Sequence, residues 1–119
     1  MSDVLVIDDS EAIRDTLSAL LTEMGHNVET ASGGEEALAT LARWHPRFVI
    51  IDINMPRQNG YEVAARIRAL EAGAAMTLVL MTAADVDSEL VAHARRRGFD
   101  HCIDKLDAVP ALEALLAQP

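Results

Sequence analysis

Two adjacent acids, Asp8 and Asp9, close an apolar run near the start of the chain, and a third, Asp52, closes another near its middle. Thr82 ends a third apolar run, and Lys105 follows a short mixed one. Carboxylates repel by roughly 1 to 4 kcal/mol per pair at 4 Å, depending on the effective dielectric constant, so three of them gathered at one place need a cation. Oxygen-only ligands, few carboxylates and an open polar site favour Mg²⁺, which keeps several waters and shares its shell with a phosphate. Nine of the ten basic residues are Arg, which singles out Lys105. A compact ammonium on a flexible stem suits contact with a phosphoryl oxygen or a carboxylate. A carboxylate nucleophile beside a divalent cation, a lysine and a hydroxyl is the equipment for forming an aspartyl phosphate, where catalysis is mostly positioning and neutralisation of phosphoryl charge.

These residues meet only if the chain builds parallel strands whose carboxyl ends share one rim. The stretch RFVIIDINMPRQNG, Arg47 to Gly60, runs four apolar residues into Asp52 and then a polar loop through Asn54, Met55 and Pro56. A β-branched, aromatic run this short, closed by Pro and Gly, reads as a buried central strand. Val4 to Ile7 and TLVLMT, ending at Thr82, read the same way, whereas HNVETA and DHCID are mixed and belong at sheet edges. Between them lie helical patterns: Ile13 to Met24 opened by Ser10, Leu38 through Trp44 stopped by Pro46, Val63 through Leu70, about Asp85 to Arg97, and Val109 to Leu116. Gln118 and Pro119 read as a frayed end. Five strands alternating with five helices predict an α/β flavodoxin-like (βα)5 fold, a five-stranded parallel sheet of order 2-1-3-4-5 with helices on both faces. The first and third strands then meet at the switch point, and Asp8, Asp9, Asp52, Thr82 and Lys105 share the rim.

The chain has 119 residues and half are apolar, which predicts one domain over 1–119 that needs neither disulfide nor metal to fold. A net charge of −9 would repel a phosphate backbone, so direct nucleic-acid binding is not expected. No apolar run is long enough for a membrane span, and MSDVLVIDDS lacks the basic flank and apolar core of a leader. A single cysteine, Cys102, agrees with a reducing cytoplasm as the compartment.

Taken in order, Asp8-Asp9, Asp52 followed by INMP and Gly60, Thr82-Ala83 and Lys105 strongly resemble the receiver domain of two-component response regulators, over essentially the whole chain. The resemblance implies that Asp52 accepts a phosphoryl group from a histidine kinase or histidine phosphotransfer protein. It further implies that Asp8 and Asp9 hold Mg²⁺ directly or through water with Asp52, and that the main-chain carbonyl of Asn54 completes the site. Thr82 would hydrogen-bond the phosphoryl group in the active state, Lys105 would pair with it, and the changed surface would control a downstream effector or fused output domain. Such a domain assists its own phosphorylation and dephosphorylation and is not otherwise an enzyme. Two positions depart from the family pattern. Cys102 stands three before the lysine, where an aromatic residue that turns inward on activation is usual, and Leu106 follows the lysine where a cis proline is usual. Without proline a cis bond would cost about 3 kcal/mol or more, so a trans Lys105-Leu106 peptide is expected.

Plainer readings stand beside these. Asp9, Ser10 and Thr82 could be helix caps, Arg95 to Arg97 a solvated helix end, and Trp44 and Tyr61 packing residues. Cys102 reads as a small edge-strand hydrophobe, and His26, His45, His93 and His101 as surface or turn residues without ligand spacing. Other functions on this frame are a flavin carrier, for which Asp8 and Asp9 would repel the phosphate, a small aspartyl-nucleophile phosphohydrolase, which usually wants an acid where Asn54 stands, and an interaction module with vestigial phosphorylation.

Overall fold

The computed structural model describes residues 1–117. Strands β1 (Asp3–Ile7), β2 (Asn27–Ala31), β3 (Phe48–Asp52), β6 (Thr77–Thr82) and β7 (His101–Asp104) form one sheet, and β4 (Asn54–Met55) and β5 (Gln58–Asn59) form a small separate hairpin. The helices are α1 (Glu11–Glu23), α2 (Gly34–Leu41), α3 (Gly60–Arg68), α4 (Ser88–Arg96) and α5 (Ala108–Leu116). The sheet is parallel throughout in the order β2-β1-β3-β6-β7. Counting sheet strands alone, that is the expected 2-1-3-4-5 order. No helix among the described residues is long and apolar enough to cross a membrane.

Strict alternation along the three central strands builds two cores. Leu5, Ile7, Val49, Ile51, Leu78 and Leu80 face one way, against Ala37, Leu41, Val63, Ile67 and Ala94 of α2, α3 and α4. Val4, Val6, Phe48, Ile50, Val79 and Met81 face the other, against Leu17 and Leu21 of α1 and Leu112, Leu115 and Leu116 of α5. Both faces being covered is why these strands read as unbroken apolar runs. The edge strand β2 buries only Ala31.

Several element ends differ from the sequence reading. α2 stops at Leu41 rather than running to Trp44: Arg43 turns back to pair with Glu29 of β2 at 2.8 Å, and Trp44 folds half-buried onto the core. α3 ends at Arg68, before Leu70. α4 starts at Ser88 rather than near Asp85, because Asp87 Oδ1 accepts the Leu90 N–H at 2.8 Å and caps the helix there. The polar loop after Asp52 contains the β4–β5 hairpin, from which Asn59 caps α3 by accepting the Glu62 N–H at 2.9 Å. β7 ends at Asp104, and Lys105 opens a short 3₁₀ turn. The expected fray at Gln118 and Pro119 lies outside the described residues.

Candidate functional site

The register decides which side chains meet. Ile7 pairs with Ile51 and Asp52 with Met81, so Asp8 and Asp52 end neighbouring central strands; Thr82 ends the next, paired with Asp104 just before Lys105. All the expected groups therefore reach one rim. Asp8 and Asp52 are buried, with side-chain exposures of 0 and 2 %, while Asp9 is exposed, so the cluster opens to solvent on the Asp9 side. A carboxylate oxygen from each of the three acids lies within 4.8 Å of the others.

Each buried acid has one oxygen fixed and one left over. Asp8 Oδ1 accepts the Ser10 N–H at 2.9 Å and Asp52 Oδ1 accepts the Asn54 N–H at 3.1 Å. Arg14 holds the Asp8 main-chain carbonyl at 2.8 Å, which fixes the β1–α1 turn from behind. Asp8 Oδ2 and Asp52 Oδ2 are buried without a hydrogen bond. Both lie near the Lys105 ammonium, at 3.4 and 3.2 Å, contacts long enough to count as ion pairs rather than good hydrogen bonds. One ammonium for three carboxylates leaves the site short of positive charge. Burial pushes the Asp52 carboxyl above its usual range; the Asn54 N–H opposes the rise, Asp8 adds to it and Lys105 opposes it.

Buried oxygens without donors mark a place where a missing partner belongs. The donor set is all oxygen and anionic, and it fits a hard divalent cation. Asn54 is exposed at the mouth, placed two residues after Asp52. Thr82 is buried, and its Oγ1 accepts the Ala84 N–H at 3.0 Å. Its hydroxyl closes the turn after β6 but caps no helix, since α4 is capped by Asp87, whereas Ser10 does cap α1 through the Ile13 N–H at 3.3 Å, so the plainer reading holds for Ser10 alone.

Close packing of the β3–α3 connection positions Asp52. The Gly60 N–H donates to the Ile53 carbonyl at 3.0 Å, and a Cβ at Gly60 would stand 2.7 Å from the Asp52 carbonyl oxygen. Only glycine lets α3 start this close to the strand end. The Gln58 side chain, from the hairpin, accepts the Gly34 N–H at 3.0 Å and so latches this loop to the start of α2.

The two departures from the family pattern are also placed. Among the described residues there is no cis peptide bond, so Lys105-Leu106 is trans as expected, and Leu106 stands 89 % exposed. Cys102 is half-buried, and burial pushes its thiol up. The sequence reading missed one contact near it. Tyr61, which packs against the core as its sequence context suggests, and His93, a surface or turn residue by sequence alone, meet edge-on at 5.0 Å.

The response regulator receiver domain model matches residues 4–117. Response regulator MprA of Mycolicibacterium vanbaalenii is 39% identical over 116 residues, covering 97% of this chain but 47% of that protein, so the chain spans about half the length of that curated relative. The structure of chemotaxis protein CheY4 of Vibrio cholerae superposes with a TM-score of 0.89 at 29% identity, covering 98% of this chain and 96% of that one. That of TrrA from Thermotoga maritima, solved in complex with Mg²⁺ and beryllofluoride, gives 0.81 at 32% identity over 98% of this chain and 96% of that one. On the match over nearly its full length, the chain belongs to the response regulator receiver domain family of two-component systems.

Proposed function

We propose that this chain is a phosphorylation-controlled switch in which Asp52 accepts a phosphoryl group from the histidine of a kinase or phosphotransfer protein. The observation that carries the reading is the pair of buried, donor-less oxygens, Asp8 Oδ2 and Asp52 Oδ2, facing one lysine. Asp8, Asp9 and Asp52, with the Asn54 main-chain carbonyl, would hold Mg²⁺, the ion in the complex of the Thermotoga relative. When bound, the ion neutralises charge on the transferring phosphoryl group.

The chain's own groups supply the rest. A carboxylate oxygen of Asp52 attacks phosphorus, a P–O bond forms, the P–N bond to the donor imidazole breaks, and its electron pair returns to the ring nitrogen. Lys105, already between Asp8 and Asp52, pairs with the phosphoryl oxygens. Thr82 Oγ1 now accepts from Ala84 and retains its own proton to donate. A charge-assisted bond to the phosphoryl group exists in one state only, so it biases the loop after β6.

The altered surface would act on a downstream effector or a fused output domain, in the cytoplasm and without direct contact to nucleic acid by this acidic chain, whose net charge is −9. The chain would turn over no substrate besides its own phosphoryl group. Intact mass after incubation with acetyl phosphate tests the reading. One Mg²⁺-dependent, base-labile phosphoryl group on the wild type and none on Asp52→Asn is expected; equal labelling of both overturns it.

A further inference from the structure

We propose that Tyr61 carries the state of Asp52 to α4, so that α3 and α4 move as a coupled pair when Asp52 is phosphorylated. The inference rests on the phosphoacceptor reading of Asp52. Tyr61 is one residue from Gly60, whose backbone touches the Asp52 carbonyl and the Ile53 Cα so closely that a Cβ there would stand 2.7 and 2.9 Å from them. The Gly60 N–H is bonded to the Ile53 carbonyl. A shift of the Asp52–Asn54 backbone therefore moves the first turn of α3 with it, because nothing compressible lies between.

On its other side Tyr61 meets groups of α4 and of the turn that follows it. Its ring stands edge-on to His93 at 5.0 Å and to Phe99 at 5.8 Å, with interplanar angles of 80 and 78°, and the Arg97 guanidinium lies 4.9 Å over its face. These are the favoured geometries for aromatic pairs and for a cation on a ring. Cys102 of β7 packs against the same core beside them. Burial, and after it the Cys102 thiol, push the Tyr61 phenol up, with the Arg97 guanidinium opposing, at a ring that is half-buried.

α4 is the element free to respond. Ala94 is its one buried residue, and Ala83 to Glu89 are exposed throughout. An element with so little buried surface lies at the low end of local stability. Its two ends are held differently: the N-terminal end follows the loop from Thr82, and the C-terminal end is clamped by Ala94, Phe99 and the Tyr61 ring. Phosphorylation works at both ends, through the Thr82 hydroxyl at one and through Gly60 and Tyr61 at the other, which gives α4 two arrangements with different contacts in each.

The chain has one tyrosine, so protein labelled at tyrosine with carbon-13 gives a single set of ring signals. With Mg²⁺ and beryllofluoride, the Tyr61 ring signals and the α4 backbone amides are expected to shift together. Tyr61→Phe keeps the α4 response, because the ring contacts remain. Tyr61→Leu and, separately, His93→Ala accept the acetyl phosphate label as the wild type does by mass, but the α4 shifts fall to less than half. A full α4 response in both variants, or unmoved Tyr61 signals in a wild type that does take the label, overturns the coupling while leaving the phosphoacceptor intact. A wild type that takes no label overturns both.

Discussion

The two ends of the sheet's strands, amino and carboxyl, handle their polar groups in opposite ways. At the amino edge, Arg68 donates to the carbonyls of Gly98, Gly73 and Met76 at 2.9, 2.9 and 2.7 Å and pairs with Asp100 Oδ2 at 2.7 Å. Asp100 Oδ2 in turn accepts the Leu78 N–H at 2.9 Å. Every group in that knot has its partner. At the carboxyl edge, three acids cluster, one ammonium lies by two of them, and two buried oxygens have no donor. Satisfied networks rigidify a fold, and unsatisfied ones are tolerated where a ligand completes them. The fold is thus pinned at one edge and left with unpartnered carboxylate oxygens at the other.

The sharpest way to break this contrast is Arg68→Met, which leaves three carbonyls and Asp100 without their shared donor. A loss of about 2 to 4 kcal/mol is expected from the three charge-assisted bonds to part-buried carbonyls, read as a lower urea midpoint at unchanged slope. Labelling by acetyl phosphate should survive in the folded fraction. A variant as stable as the wild type would mean that the amino edge is not what holds α3, the turn after it and β7 together.

The carboxyl edge should behave in reverse, gaining from what is added. At a Mg²⁺ concentration one hundred times its dissociation constant, the folded state gains about 2.7 kcal/mol by mass action, and Asp9→Ala should need more metal for the same gain. Trp44 precedes β3 at the amino edge, on the order of 15 Å from the rim by the length of that five-residue strand, so its emission should not report the metal. Strong Mg²⁺ quenching of Trp44 would place the ion elsewhere.

The carboxyl edge was largely legible in the sequence and the amino edge was not, for a physical reason. Asp8, Asp52 and Thr82 each follow an apolar run, and a run ending on a polar residue announces both the strand and its exit point. Once parallel topology is inferred, those exits must coincide. Arg68 and Asp100 carry no such signal: they lie 32 residues apart, each ordinary for a helix end or a turn, and their pairing exists only in three dimensions. The caps at Asn59 and Asp87 were missed because several nearby polar residues could have served, and the choice among them depends on loop paths. Tyr61 was read as packing because a lone aromatic on a helix gives no hint that His93 and Arg97 will close over it.

A smaller effect tests whether Asp52 is strained in the metal-free fold. Its carboxyl titrates above the ordinary range, chiefly through burial, so between the unfolded and folded values the native state binds more protons than the unfolded chain. Stability then falls as pH rises through that window, and above the folded value the whole penalty is present. In chelator, Asp52→Asn should therefore raise the urea midpoint at neutral pH, with the gain closing as pH drops below the ordinary carboxylate value. A variant less stable than wild type at neutral pH would mean that Asp52 contributes to the fold as the amino-edge groups do.

The smallest effect should come from His26, which sits by the amino edge and should show the opposite sign. The Ser2 N–H donates to His26 Nδ1 at 3.0 Å, and Asn27 returns its N–H to the Ser2 carbonyl at 3.0 Å, so the ring nitrogen must be unprotonated to hold the start of β1 against β2. Burial, and then the positive amino terminus, keep the imidazole below its ordinary value, which is about 6.5. Between the two values the unfolded chain binds the extra proton, so the contribution is fully present above the ordinary value and is lost as pH falls through it toward the folded one. His26→Gln should be slightly less stable than wild type at pH of about 7.5, and the difference should shrink by about pH 5.5, well below the ordinary imidazole value. Removing Asp52 helps at neutral pH and removing His26 hurts, which is the contrast between the edges in its mildest form. A wild-type advantage that stays constant across that range would mean that the contact to Ser2 does not depend on the proton and that this corner is held by β1–β2 pairing alone.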